Sequence, residues 1–391
     1  MDSVYKINYL CFNNSKKQFC LCHNNGIKNY ETDDFKLLYT SAPLGSISFS
    51  ALIHELNMAV LVGAENNEEF NDKKLAIYDL INKKKIYSTA FLNKIVSIKI
   101  IDKYLIISFE FELKIYSLEK KDTIMPISEI PLPTYDTFGV WEKDDKENST
   151  LTKLFIVYTS KKSIYFKTIL GNGNDDFEVK APVSKIQNLF YIPKLNQIFL
   201  PDETAYYIYS INSDDGKQVL CLYRGKNPGY ITSITLLNKN YLAVNNLNRT
   251  IHIFDLNEKG SNLRSMIGNF IYGNYISPMM RIKYNQLVKK NEKDEGQFFE
   301  DDFAKKGALL LSEEDGTELR VIAYNGYAYK IRINFLKKDI ASYEKKSYCS
   351  YQIDDMNEET TKKESGEIKS FNSIFEKETS QKKDDKFVVI K

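Results

Sequence analysis

The chain has 391 residues, 43% hydrophobic and 27% charged, so it can bury a large core as two ordinary domains or as one large repeat fold. Its 54 Lys and Arg residues nearly balance 52 Asp and Glu residues, which excludes a global positive field for nucleic acid and allows only a local anion site. Five cysteines form no disulfide framework, and neither a secretory signal nor an 18-residue apolar run is present, which predicts a cytosolic protein.

Short β-rich runs centred on aromatic or branched residues recur along the chain. In chain order they are "GIKNYET" (26–32), "LAIYDL" (75–80), "LKIYSL" (113–118), "SIYFKTI" (163–169), "YYIYSI" (206–211), "IHIFDL" (251–256) and "AYKIRI" (328–333). From Tyr78 to Tyr116 is 38 residues, and from Tyr209 to Phe254 is 45. These spacings bracket the period of about 40 to 45 residues that a four-stranded propeller blade requires.

One or two further strand-like pieces, split by Asn, Lys and Asp turns, precede each run. The pattern predicts an all-β fold, a seven-bladed β-propeller of four-stranded antiparallel blades over residues 5–337. The segment 288–307 is predicted to be a charged insertion between the last blades, and residues 345–391 a disordered tail.

An arginine follows one of the apolar runs, in "LCLYRGKNPGYITSI" (220–234). Arg224 and Gly225 end a predicted strand and precede a loop with Pro228 and Gly229, so we expect Arg224 at a rim near water. The planar guanidinium suits phosphate or carboxylate, although most arginines at strand ends are only solvated.

The stretch "LYRGKNPGYITSITLLNKNYLAVNNLNRTIHIFDL" resembles the signature of the PROPPIN (WIPI-type) family, and the order of its parts agrees as well. The segments "INYLCFNNSKKQFCLCHNNGIKNYETDDFKLLY" and "AVLVGAENNEEFNDKKLAIYDLINKKKIYSTAF" are similar to the first two blades of that family. The resemblance covers roughly residues 5 to 335. It implies a seven-bladed propeller that binds phosphatidylinositol 3-phosphate or 3,5-bisphosphate and acts in autophagy.

Family members carry two adjacent arginines that serve two separate headgroup sites, but in this chain the first position is Tyr223. A further arginine of the first site is matched by Tyr207, so the resemblance implies that this site is lost. The second site is retained in its main features. The resemblance assigns to it Arg224, Gly225, Asn245, Asn246, Thr250 and His252.

The family dips a loop of the sixth blade, between its third and fourth strands, into the bilayer. The matching segment is 257–278, in which Leu263, Met266, Ile267 and Phe270 follow helical spacing that gives one apolar face. The alternative is that residues 270–276 simply begin the next strand.

Catalytic and metal-binding patterns are weak. His54 has no second histidine at helical spacing, and Cys22 and His23 are adjacent on a strand, where side chains face opposite sides. The sequence therefore predicts no enzyme, no metal and no cofactor. The resemblance implies a cytoplasmic scaffold that is recruited to phosphoinositide-bearing membranes and engages lipid-transfer or other autophagy proteins through blades 2 and 3. The alternative is a divergent propeller that has lost lipid binding and only docks proteins.

Overall fold

Seven β-sheets follow one another along the chain, and each has four strands in chain order; one further short strand from the sixth stretch of chain joins the fifth sheet. The computed structural model describes residues 6–53, 57–67, 69–119, 123–132, 137–144, 152–160, 162–170, 176–257, 275–284, 287, 307–312, 316–324 and 326–347. Together the sheets form the predicted all-β, seven-bladed propeller, with a short 3-10 helix at Pro193–Leu195.

Each blade has four antiparallel strands that follow one another along the chain. Blade 1 comprises β1 (Ile7–Phe12), β2 (Gln18–His23), β3 (Gly26–Glu31) and β4 (Leu37–Thr40); blade 2 comprises β5 (Ile47–Ile53), β6 (Met58–Gly63), β7 (Lys74–Asp79) and β8 (Lys84–Ala90). Blade 3 comprises β9 (Ser97–Ile101), β10 (Tyr104–Ser108), β11 (Glu112–Ser117) and β12 (Met125–Pro131); blade 4 comprises β13 (Thr137–Asp144), β14 (Thr152–Ser160), β15 (Ser163–Leu170) and β16 (Phe177–Lys180). Blade 5 comprises β17 (Phe190–Ile192), β18 (Gln197–Pro201), β19 (Tyr207–Asn212) and β20 (Gln218–Tyr223). Blade 6 comprises β21 (Ile231–Leu237), β22 (Tyr241–Asn246), β23 (Thr250–Asp255) and β25 (Met280–Lys283); blade 7 comprises β26 (Ala308–Ser312), β27 (Glu318–Ala323), β28 (Tyr327–Asn334) and β29 (Asp339–Ser347).

The seven recurrent runs of the sequence are the third strands of the seven blades: β3, β7, β11, β15, β19, β23 and β28. Third strands pack against neighbouring blades on both faces, which is why β7 and β23 each bury four successive residues. Aromatic and β-branched side chains fill such doubly covered strands well. The period seen in the sequence is therefore the blade repeat.

The propeller ring closes where blade 7 meets blade 1. Blade 1 is built from N-terminal strands and blade 7 from C-terminal strands, so no blade combines strands from the two ends of the propeller. Ile7 and Phe19 of blade 1 pack in one apolar cluster with Ile322 of blade 7. Buried Arg320 adds an ion pair with Asp33 at 2.6 Å, and its Nε lies 3.1 Å from the Glu318 carboxylate of its own strand. Side-chain packing and this ion pair hold the ends of the propeller together.

Blade 5 carries a fifth strand that the sequence did not predict. The short strand β24 (Tyr275–Ile276) lies in sequence between β23 and β25 but pairs in parallel with β20, with Cys221 opposite Tyr275. The alternative that residues 270–276 simply begin the next strand is confirmed for 275 and 276, which form that strand at the edge of blade 5, whereas 270–274 lie outside the described residues.

Several predicted features lie outside the described residues or at their limits. Most of the predicted membrane loop (258–274) lies outside the described residues, between β23 and β25 in the sequence. Most of the predicted charged insertion (288–306) lies outside them as well, between β25 and β26. The predicted tail from 345 is described only as far as Ser347, the last residue of β29. The predicted domain end at 337 falls in the turn between β28 and β29.

Candidate functional site

The cleft between blades 5 and 6 collects most of the predicted binding residues. On blade 6, Val244 and Phe254 pack in one apolar cluster with residues of blade 5. Because side chains alternate along a strand and partners across a ladder share a face, Asn246, Thr250 and His252 lie on this same face. The strands β20, β22 and β23 thus place a polar group at the rim of an apolar interface.

Arg224 closes this cleft from the blade 5 side, but it is not at a solvated rim. Its side chain is only 4% exposed. Its Nε donates to the Ala205 carbonyl oxygen at 2.6 Å, and its Nη2 donates to the carbonyl of Asn227. The expectation of an arginine near water is wrong, because the loop after β20 folds back over the guanidinium. Burial lowers the pKa of Arg224 from its ordinary value.

His252 lies deep in the same cleft and is held neutral. Its side chain is 4% exposed, and its Nδ1 has no hydrogen-bond partner. Burial, and then the nearby charges of Arg224 and Arg281, lower the pKa of His252 from 6.5 to about 3. A buried ring nitrogen without a partner is costly, and it is the kind of group that a ligand satisfies.

Arg281 was not predicted from the sequence. It lies on β25 directly opposite His252, and Lys283 lies opposite Thr250 two residue pairs further along. Its Nη2 donates to the carbonyl oxygen of Arg224 at 3.5 Å, a long and weak hydrogen bond. No motif marks Arg281, which lies 29 positions after His252, and the pairing of β23 with β25 brings the two residues opposite each other.

Asn246 contributes a second unpartnered polar atom. It is fully buried, its Oδ1 accepts from the backbone N–H groups of Tyr230 and Asn248 at 3.2 and 3.3 Å, and its Nδ2 has no partner. This amide lies against Gly229, where an added Cβ would come within 2.4 Å of the Asn246 Oδ1. The absence of a side chain at Gly229 therefore leaves room for the buried amide.

Asn245 faces the other way, towards blade 7. Its Nδ2 donates to Thr232 Oγ1 at 2.7 Å and to the Ala308 carbonyl at 3.3 Å, and its Oδ1 accepts from the Tyr284 hydroxyl at 2.9 Å. Adjacent strand residues point to opposite faces, so Asn245 and Asn246 cannot both line one cleft. The structure separates Asn245 from the Arg224 and His252 cluster.

The positions expected to supply the arginines of a first headgroup site form an aromatic group instead. Tyr207 and Tyr223 are paired across β19 and β20, with ring centroids 5.3 Å apart. Tyr275 of β24 covers them, with its ring 5.4 Å from that of Tyr207. These rings pack on the apolar interface between blades 4 and 5. The described side chains at these positions supply rings and phenols but no arginine.

The predicted membrane-insertion residues Leu263, Met266, Ile267 and Phe270 lie outside the described residues, and so does His54. Among the residues that are described, no group of His, Cys, Asp or Glu is arranged to hold a metal ion. No helix in the described ranges is long and apolar enough to cross a bilayer.

Fold and cleft together define a seven-bladed β-propeller with a cationic, polar cluster between its fifth and sixth blades. No protein-family profile matches the chain. It is 23% identical over 278 residues to SVP1-like protein 2 of Pichia angusta. The aligned region covers 69% of this chain and 75% of that protein.

Solved structures share the fold. Hsv2 of Kluyveromyces lactis has a TM-score of 0.63 at 14% identity and covers 87% of this chain and 99% of its own. A structure described as the complex of KlAtg21 with the coiled coil of AgAtg16 has a TM-score of 0.60 at 15% identity, with coverage of 87% and 99%. These similarities confirm the predicted resemblance to the PROPPIN family.

Proposed function

We propose that this chain is a phosphoinositide-binding peripheral membrane scaffold of the PROPPIN type, acting in autophagy or related organelle membrane traffic. The observation that carries the proposal is the convergence of Arg224, Arg281 and His252 in one cleft, where buried polar atoms lack partners. Its ligand is the headgroup of phosphatidylinositol 3-phosphate or 3,5-bisphosphate. The proposal includes no reaction, metal or cofactor.

Electrostatics explain why such a cleft suits a phosphate. Burial first, and then the charges of Arg224 and Arg281, hold the His252 ring neutral, so the cleft brings two positive charges close together. A phosphate between them removes that repulsion and makes charge-assisted hydrogen bonds, which are stronger than neutral ones. The Thr250 hydroxyl lies on the same face and donates to the Asn248 carbonyl oxygen at 3.2 Å, a bond that it would exchange for one to a phosphate oxygen.

The protein is proposed to hold one headgroup rather than two. An uncharged phenol cannot make the bidentate contact of a guanidinium with phosphate, and Tyr207 and Tyr223 stand at both positions where the resemblance calls for arginine. Losing two such contacts weakens a site by roughly a hundredfold or more. Of the two headgroup sites that the resemblance implies, the cleft between blades 5 and 6 is the one whose described residues include arginines.

Membrane residence needs a second weak signal, because a single one gives marginal and reversible binding. We assign that role to the apolar residues Leu263, Met266, Ile267 and Phe270 of the segment between β23 and β25. The protein is then cytoplasmic and recruited to a membrane when the headgroup is present.

Titration calorimetry with a soluble short-chain phosphatidylinositol 3-phosphate tests the proposal. We expect one molecule bound per chain, and loss of that binding in Arg224→Ala. Two equivalent sites would refute the single-site argument. No heat of binding, together with no recovery on liposomes containing the lipid, would refute the lipid function.

A second candidate is a propeller that docks proteins without binding lipid. It is favoured by the similar structure of KlAtg21 with the coiled coil of AgAtg16, since the same fold there is described in a protein complex. In this chain we assign docking of lipid-transfer or other autophagy proteins to blades 2 and 3, including residues 63–74. The calorimetric experiment separates the two candidates.

A further inference from the structure

We propose that Cys11 and Cys20 form a redox-active dithiol, which hydrogen peroxide converts into a disulfide between the first two strands of blade 1. Both residues are free thiols in the structure. The proposal is independent of the lipid function, because this thiol pair faces blade 2 and the candidate headgroup cleft lies between blades 5 and 6.

Strand pairing places the two cysteines directly opposite each other. Cys11 of β1 is the ladder partner of Cys20 of β2. Opposite residues of an antiparallel ladder have Cα atoms about 4.5 to 5.5 Å apart, within the range of about 4.4 to 6.8 Å that disulfides span. The backbone therefore allows a bond between these two sulfurs.

Blade 2 draws both side chains to the same place. The Cys11 Sγ–H donates to the Ser50 carbonyl oxygen at 3.0 Å, and the Cys20 Sγ–H donates to the Ser50 hydroxyl oxygen at 3.4 Å. Because both sulfurs reach one residue of β5, they converge rather than point apart.

Cys22 shares this face but is less well placed for a bond. It lies two positions after Cys20 on the same strand, about 6.6 Å away with a parallel side chain, and its ladder partner is Tyr9. Its diagonal separation from Cys11 is about 7 to 8 Å, beyond the disulfide range. Cys11 and Cys20 are therefore the pair that the fold selects from the three.

The two thiols differ in access and in acidity. Cys11 is half-buried and open to a small oxidant, whereas Cys20 is 0% exposed. Hydrogen bonds from Cys11, from Cys22 and from Ser50 lower the pKa of Cys20, although burial opposes this shift. The hydrogen bond to Cys20, and then burial, raise the pKa of Cys11. Because the thiolate is the reactive form of cysteine, Cys20 is prepared to attack once Cys11 has been oxidised.

The oxidation balances with hydrogen peroxide as the single oxidant. The Cys11 sulfur attacks one peroxide oxygen as its proton passes to the Cys20 thiolate. The O–O bond breaks, and the released hydroxide takes that proton back as water, which leaves Cys11 as a sulfenic acid. The Cys20 thiolate then attacks the Cys11 sulfur, the S–O bond breaks, and the departing hydroxide takes up a proton. Two thiols and one peroxide thus give one disulfide and two waters.

Oxidation changes how blade 1 is attached to its neighbour. A disulfide has no S–H, so both hydrogen bonds to Ser50 of blade 2 are lost while β1 and β2 become covalently joined. In a reducing compartment such a bond is a transient response to peroxide rather than a permanent link.

Peptide mapping of the oxidised full chain tests the proposal. Folded protein is treated with hydrogen peroxide, the peroxide is removed with catalase, and the remaining thiols are alkylated as the chain is unfolded. Trypsin cleaves after the lysines that flank and separate these cysteines, so Cys11 is in one peptide and Cys20 and Cys22 are in another. We expect the two peptides to be joined, lighter by the hydrogen of both thiols, and separated again by dithiothreitol.

Variants with matched burial identify the pair. Cys20→Ala should lose the joined peptides, whereas Cys22→Ala, which removes a sulfur of the same 0% exposure from the same strand, should keep them. Cys11→Ala should also lose them and leave Cys20 and Cys22 reduced. Cys221, buried between blades 4 and 5, should stay reduced in the folded wild type and serves as an internal reference.

Oxidation of the chain in urea is the control for closeness in sequence, and there the preference of Cys11 for Cys20 over Cys22 should disappear. Three results in the folded protein overturn the proposal. They are a disulfide between any other pair, oxidation of Cys11 without a disulfide, and thiols that stay reduced at a peroxide dose that oxidises the unfolded chain. None of these results depends on lipid binding, so this proposal and the proposed function fail separately.

Discussion

Acidification should destabilise this protein through His252, by an amount that the burial of its ring determines. Folding lowers the pKa of His252 from 6.5 to about 3. A group whose pKa is depressed by folding stabilises the native state above its unfolded pKa and loses that contribution as the pH falls. From about pH 6.5 down to about pH 3, the unfolded chain takes up a proton at His252 that the folded chain does not. Between about pH 7.5 and about pH 5 this loss is about 2 kcal/mol, or roughly a thirtyfold change in the folding equilibrium.

Urea unfolding at the two pH values, on the wild type and on His252→Gln, measures this loss. His23 is also buried, and its pKa is lowered to about 4, so it contributes a similar loss in both proteins. The difference between the two pH dependences therefore isolates His252. The wild type should lose about 2 kcal/mol more than the variant on acidification. Equal losses would refute the reasoning, because they would mean that His252 can be protonated in the folded protein.

Three further outcomes are expected. Arg320→Met should cost about 1.5 to 3 kcal/mol in urea unfolding, because the buried Glu318 carboxylate loses its partner at 3.1 Å and keeps only the 70% exposed Arg332 at 3.6 Å, whereas Asp33→Asn, at a 69% exposed partner, should cost at most about 1 kcal/mol; equal costs would contradict this account of ring closure. Changing Ile267 and Phe270 to aspartate should release the protein from phosphoinositide-containing liposomes in sedimentation assays without moving its unfolding midpoint, and a large loss of stability would instead place both residues in the core. Limited proteolysis should trim the C-terminal tail and cut within 288–307 while leaving one compact core, an expectation that two stable half-chains would defeat.

The sequence determined the repeat, because that information is local. A blade's third strand is covered on both faces and must be apolar and aromatic along its length, so each blade leaves a recognisable run at a regular interval. The candidate residues Arg224, Thr250 and His252 were assigned through the resemblance of residues 222–256 to the PROPPIN signature, which is also carried by a short continuous stretch of sequence.

The tertiary structure determined the burial of side chains and the contacts between distant segments, which the spacing of residues in the sequence does not encode. Whether Arg224 meets water depends on how the loop after β20 folds back, and that loop buries it to 4% exposure. The residue opposite His252 in the β-ladder is Arg281, 29 positions later in the sequence. The pairing of β23 with β25 brings the two residues together. Likewise β24 pairs with β20 at the edge of blade 5 rather than with a strand of blade 6. The edge strand of a sheet offers unpaired backbone N–H and C=O groups to a nearby segment of chain. Local runs of sequence specify strands and blades, whereas contacts between distant segments depend on register and on the packing of the closed ring.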